Sequence, residues 1–186
     1  MAFDDTQLAA LRTAINAGIS APITTAAQTR NDTELARLLN LDSSFWVWRS
    51  VVATEDILEA VNWSSFTPQA LPDGSALYSQ RQFNCQLKRD NMRVLLERST
   101  LPTGRPNIRT SLTDALLNVP AGAGGADLDA GWLGTGKVKA VISRLATVAE
   151  RALITTGTGA AGTPGTLVAE GKIDIDAVGR MWNLPA

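Results

Sequence analysis

Histidine is missing altogether from this chain of 186 residues, and cysteine and tyrosine occur once each, as Cys85 and Tyr78. Without histidine there is no Ser-His-Asp triad, no Cys-His pair and no histidine-bearing metal site. A single cysteine rules out an intrachain disulfide and any framework of the secreted kind. No apolar run approaches the ~20 residues needed to cross a bilayer. The opening residues, "MAFDDTQLAALR", turn acidic at once and carry no signal or transit pattern, so folding in a cytoplasm is expected. Charge is sparse as well. Asp, Glu, Lys and Arg make up 19% of the residues, and a charge-poor surface is best tolerated where part of it meets other protein.

What is present suffices for one ordinary domain: 45% of the residues are apolar, with Ala, Thr and Gly plentiful. The net charge of −1 gives no overall nucleic-acid signal, but its distribution is uneven. Residues 1–80 hold four Arg against nine acids, and residues 81–109 hold seven Lys and Arg against two acids. Either these stretches pair within or between subunits, or the basic one faces phosphate or an acidic partner.

Periodicity predicts mostly helix. Asp4 and Asp5 precede a stripe of Leu8, Leu11 and Ile15 that ends at Gly18, and residues 18–29 read as a loop around Pro22. Asn31 and Glu34 have capping-box spacing ahead of Leu35, Leu38 and Leu39, and Thr54 opens a further helix ending near Val61. The longest helix is expected over Ser75–Arg98. It has two apolar arcs, Leu77, Tyr78, Cys85, Met92, Leu95 and Leu96 on one side and Phe83, Leu87 and Val94 on the other. Two such arcs suit a helix packed between layers. Asn107 caps a helix to Asn118, and a single amphipathic helix is expected from Thr135 to Leu153. Residues 166–175 alternate about Glu170–Gly171 as a small β-hairpin, and Asp176 caps a last helix with Val178, Met181 and Trp182. The expected fold is therefore mainly α: a helical bundle around a long central helix, with a small C-terminal β-hairpin and long Gly/Ala-rich loops. Residues 1–156 form the helical domain and residues 157–186 a C-terminal arm.

Two glycine patterns invite a nucleotide reading, and neither sustains it. "GTGAAG" (157–162) matches G-x-G-x-x-G but follows a helix and precedes Thr163–Pro164–Gly165, whereas the fingerprint needs a strand before and a helix after. "GWLGTGKV" (131–138) has Val138 where a Walker A loop needs Ser or Thr for Mg²⁺. The carboxylate pairs Asp127/Asp129 and Asp174/Asp176 read as caps or solvated residues. Cys85 falls on the larger apolar arc of the long helix and reads as an inert core thiol. No enzyme activity, cofactor or metal is expected. Arg89 and Arg93 stand one turn apart, with Glu97 placed to neutralise Arg93, and Arg105 and Arg109 continue the basic run. No stacking aromatics are interleaved, so these arginines suit charge pairing or passive contact with DNA.

The densest aromatic cluster is "FWVWRS" (45–50), with three large rings in four residues of a chain that has ten in all. In an extended segment Trp46 and Trp48 share one face, and Phe45, Val47 and Val51 the other. Trp48 and Trp63 suit a core with Trp46 at its rim; alternatively part of the cluster anchors a partner.

Four segments carry a resemblance: "FWVWRSVVATEDILEAVNW" (45–63), "RTSLTDALLNVPAGAGG" (109–125), "GWLGTGKVKAVISRLATVAERAL" (131–153) and "GTLVAEGKIDIDAV" (165–178). Together they resemble the head–tail connector proteins (adaptor, or head completion) in the neck of tailed bacteriophages. The resemblance implies a virion structural protein rather than an enzyme. It would form a ring, often dodecameric, that docks under the portal protein, helps close the DNA-filled head and offers an attachment face to the next neck or tail protein, a stopper or tail terminator. It implies a place in the virion neck, after synthesis in the host cytoplasm, with no membrane contact and at most non-specific contact with packaged DNA through Arg89, Arg93, Arg105 and Arg109. By the same analogy Leu167, Val168, Ile173, Ile175, Val178, Met181 and Trp182 would meet the portal, the Gly-rich loop at 121–136 would contact an adjacent ring, and Phe45, Trp46, Trp48, Arg49 and Trp132 would anchor subunits or partners. A different class of function, a small helical binding module with an aromatic-lined hydrophobic groove near Trp46, Trp48 and Trp63, is the alternative.

Overall fold

The computed structural model describes residues 3–66, 76–116, 119–120, 127–128 and 137–185. Nine α-helices appear among them: α1 (Asp5–Asn16), α2 (Ala21–Gln28), α3 (Asp32–Leu39), α4 (Thr54–Ala60), α5 (Ala76–Leu95), α6 (Pro106–Leu116), α7 (Lys137–Ile142), α8 (Val148–Ala152) and α9 (Ile175–Asn183). The strands are short: β1 (Asp42–Trp48), β2 (Val52–Ala53), β3 (Thr100–Leu101), β4 (Val119–Pro120), β5 (Asp127–Leu128), β6 (Ser143–Thr147), β7 (Ile154–Thr156) and β8 (Thr166–Leu167). They pair two by two, β1 with β6, β2 with β3, β4 with β5 and β7 with β8.

The chain divides into two compact units, residues 1–48 with 144–186, and residues 49–143. The first is a helical cluster. Its core unites Leu8, Leu11 and Ile15 of α1, Ile23 and Ala26 of α2, Leu35, Leu38 and Leu39 of α3, Ala149 of α8, and Val178 and Met181 of α9. Caps set the entry of these helices. Asp4 accepts from Gln7 N–H at 2.8 Å while the Gln7 side chain accepts from Asp4 N–H at 2.9 Å, a reciprocal box. Asn31 caps α3 through Glu34 N–H, and Asp174 caps α9 through Ala177 N–H at 2.7 Å. Helix α1 is tied to the residues after α9, for the Arg12 guanidinium donates to the carbonyls of Leu184 and Pro185 at 2.6 and 2.8 Å.

The second unit buries Val52, Ile57, Phe66, Cys85, Met92, Leu101, Leu112, Leu116, Val138 and Ile142. Arg109 donates to the carbonyls of Thr103 and Gly104, and Thr103 Oγ1 donates to Arg49 O, which fastens the turn between β3 and α6.

Mainly helical character is present, but a bundle around a long central helix is not. The 20-residue α5 is the longest helix described, yet it belongs to one unit and buries one arc. Cys85 and Met92 are buried, while Phe83, Leu87 and Val94 on the opposite arc are 65%, 49% and 66% exposed. The second apolar side faces solvent, so the helix is not held between two layers.

Other expectations are corrected in the same physical terms. Residues 21–28 are helix rather than loop, started by Ser20 and Pro22 in the first turn. The helix expected over 135–153 breaks into α7, β6 and α8. Ser143 Oγ donates back to Lys139 O, and Thr147 with Glu150 forms a capping box that restarts the helix. The hairpin at 166–175 does not form: Thr166–Leu167 pairs antiparallel with Ile154–Thr156 instead. Its would-be second strand is taken by side chains. Asn40 accepts from Ile173 N–H at 2.9 Å and donates to Ile173 O at 2.7 Å, and Gly171 N–H donates to Glu150. Replacing Asn40 with alanine leaves both polar groups of Ile173 unmatched and is expected to cost about 1–2 kcal/mol. Faster amide exchange at Ile173, with little change at Leu8 or Leu11, is the check.

Candidate functional site

The aromatic segment forms β1, and neither of its edges is free. One pairs with β6; the other is held by the glycine-rich stretch after β7, where Trp46 N–H donates to Gly159 O at 2.7 Å and Trp48 N–H to Gly165 O at 3.0 Å. This is what "GTGAAG" does. Gly157 and Gly159 have φ of +96° and +71°, a left-handed conformation open to glycine. A Cβ on Gly157 would stand 2.7 Å from Gly165 Cα, and one on Gly159 would enter the Phe45 ring. The pattern that mimics a phosphate loop is a close-approach loop pressed against a strand.

The proposed anchors are correspondingly occupied. Arg151 stacks over the Phe45 ring at 4.3 Å, Val47 is fully buried, and Trp46 and Trp48 are half-buried. Trp63 is not core. It is 37% exposed, its indole N–H donates to Leu58 O, and its ring lies 5.7 Å from that of Phe66. Arg49 is exposed, and Trp132 lies outside the described residues, as do residues 121–126 and 129–136 of the glycine-rich loop.

The portal-facing set splits. Ile173, Val178 and Met181 are buried in the first unit's core, where α9 packs on α1 and α3, so they hold the arm down rather than display it. Trp182 is half-buried; its N–H donates to Asp32 and Arg30 stacks on its ring at 4.7 Å. Leu167 is half-buried in β8, and only Val168 and Ile175 of this set stand exposed. The helix begins two residues earlier than expected because Asp174, not Asp176, is its cap.

The basic set splits too. Arg109 is half-buried and engaged with the Thr103–Gly104 turn, and burial pulls its guanidinium below the ordinary arginine value. Arg89, Arg93 and Arg105 are exposed, and the expected Arg93–Glu97 ion pair is not among those of the described residues.

A buried charge cluster escaped the sequence reading. Arg144 Nη2 lies 2.7 Å from Glu150 and 3.0 Å from Glu170, and Glu150 is 1% exposed. Burial alone would raise the Glu150 carboxyl. The Arg144 hydrogen bonds and the N–H groups of Thr147 and Gly171 outweigh it and hold the carboxyl below its usual range. Glu150 in turn raises Arg144 above the ordinary arginine value against the opposing effect of burial, with Glu170 adding to it. The signal was legible: Thr147-Val-Ala-Glu150 is a capping-box sequence set inside the supposed continuous helix. These groups satisfy one another, and the cluster clamps β6, α8 and the Glu170–Gly171 segment together.

Among the described residues lie open grooves of about 460 and 450 Å³. The first is lined by opposed charges, Arg49 and Lys137 with Asp56 and Glu59; the second lies between α2 and α3, and neither is lined by tryptophan. Among the described residues no group of three or more acidic or cysteine side chains is placed to hold a metal ion, and no helix is long and apolar enough to cross a membrane. Compared with models of known protein families, with characterised proteins and with solved structures, the chain gives no significant match.

Proposed function

We propose that this chain is a structural subunit of a tailed-phage neck, a head–tail adaptor that assembles as a ring beneath the portal, helps close the filled head and presents a face to the next neck or tail protein. The observation that carries this reading is the outer arc of α5. Phe83, Leu87 and Val94 form one row at helical spacing, each about half or more exposed, on a helix whose other side is already buried in its own unit. Such a row is what a chain leaves open when other protein is to cover it. The resemblance of residues 45–63, 109–125, 131–153 and 165–178 to connector proteins names the assembly.

On that reading Val168 and Ile175 are the exposed residues of the arm that a portal would meet, with Leu167 and Trp182 half-buried beside Ile173, Val178 and Met181 in the core. Electron microscopy of particles made from the genome that encodes this chain tests the reading. The expected result is density for the chain in a ring between capsid and tail; density elsewhere, or particles lacking the chain, overturns it.

A further inference from the structure

We infer that the groove lined by α4 and α7 binds a small dipolar molecule, about as long as a tripeptide, with a free ammonium at one end and a free carboxylate at the other. The inference goes beyond the adaptor reading and does not depend on it.

The groove lies within the second unit, and its two walls carry opposite charge. Helix α4 packs on α7 and contributes Asp56 and Glu59, one turn apart, to one wall. Helix α7 contributes Lys137 to the other. Arg49 belongs to the basic wall, because its N–H donates at 2.9 Å to the carbonyl of Ile142, the last residue of α7. Ala60, Ala140 and Val141 complete the lining with small apolar side chains. The Arg49 backbone is fixed from its other side too, as its carbonyl accepts from Thr103 Oγ1 at 2.7 Å. Its guanidinium is nevertheless exposed. Among the described residues no hydrogen bond or ion pair engages the side chain of Arg49, Asp56, Glu59 or Lys137.

The two walls thus face one groove without pairing across it, on a backbone that holds their roots in place. A ligand of one sign would be repelled by one wall, whereas a ligand with both signs set apart meets an opposite charge at each end. The guanidinium offers parallel N–H donors to a carboxylate, and Asp56 and Glu59 accept from an ammonium. Axes of packed helices lie about 8–10 Å apart, and an extended tripeptide spans about 10 Å, so its two ends can reach both walls at once. Size favours a small molecule over a protein. The volume of about 460 Å³ suits a small-ligand cleft, while a stable protein interface takes about 800 Å² from each partner.

Titration of the full chain with triglycine, followed by amide NMR shifts, tests the site. Saturable shifts are expected over residues 56–60 and 137–141. N-acetyl-triglycine lacks the ammonium and triglycinamide lacks the carboxylate, and each is expected to bind about tenfold more weakly. Glu59→Gln is expected to weaken triglycine about tenfold and to leave N-acetyl-triglycine unchanged. Arg49→Gln is expected to weaken triglycine similarly and to leave triglycinamide unchanged. Ala140→Leu, at an exposed helical position, fills the groove and is expected to abolish binding with no fall in Tm. No saturable shift, equal binding of the three peptides, undiminished binding to Ala140→Leu, or the opposite matching of variants with peptides overturns the inference.

Discussion

Glu150→Ala is expected to cost about 3–5 kcal/mol of folding stability, the loss typical when one partner of a buried ion pair is removed. Three groups lose their acceptor together: the Arg144 guanidinium and the N–H groups of Thr147 and Gly171. Glu170 still accepts from Arg144, which keeps that charge from being wholly uncompensated and places the effect toward the lower end. Urea denaturation reads the loss directly, and at roughly 2–4 °C per kcal/mol for a chain of this size a clear fall in Tm accompanies it. The pH dependence has a fixed sign. Folding depresses the Glu150 carboxyl, so its contribution is complete above the unfolded glutamate pKa of about 4.3 and disappears as the pH falls through the lower folded value. Below that window the gap between wild type and Glu150→Ala narrows by the part that depends on the carboxylate charge. A gap that stayed constant through acid pH would mean that Glu150 acts by shape alone.

Gly159→Val is expected to destabilise by about 3 kcal/mol, from two separable sources. At φ +71° a β-branched residue is held in the left-handed region, at a cost of about 1–2 kcal/mol or more. Its side chain also displaces the Phe45 ring, which gives up the stacking with Arg151. Gly162→Ala, a few residues on, meets nothing within 4 Å and is the matched control, with an expected change under about 0.5 kcal/mol. In a Phe45→Ala background the steric part of Gly159→Val vanishes and the backbone part remains. A double-mutant cycle therefore separates them, and full additivity would show that ring and glycine are not in contact.

The starts of α1 and α3 were legible because a cap is local. Asp4 with Gln7 and Asn31 with Glu34 act within four residues, and the structure uses both. Periodicity misled where a local polar contact overruled it: the apolar stripe over 138–153 runs unbroken, but the Thr147–Glu150 box starts a new helix in its midst. The hairpin failed for a different reason. Alternation of side chains says which faces a segment shows, not which donors and acceptors it meets, and Asn40 meets those of Ile173 from 133 residues away. Of the candidate surface residues, the row of Phe83, Leu87 and Val94 was visible in the sequence, but not that it faces water. Both arcs of α5 are apolar in sequence, and it is tertiary packing that leaves Met92 covered and Val94 exposed. Burial of Val178 and Met181 was likewise beyond a reading that took the last helix as part of a separate arm.

The fastening of Leu184 and Pro185 to Arg12 has a consequence for the order of events during synthesis. Helices α1, α2 and α3 are synthesised before the residues that cover their apolar sides, which lie on α8 and α9. The stretch 49–143 is contiguous and can complete its own packing while those early helices wait with their leucines uncovered. Translation of residues 144–186 thus converts a half-made hydrophobic surface into a closed one, and a chaperone would find its binding site on α1 to α3 until then.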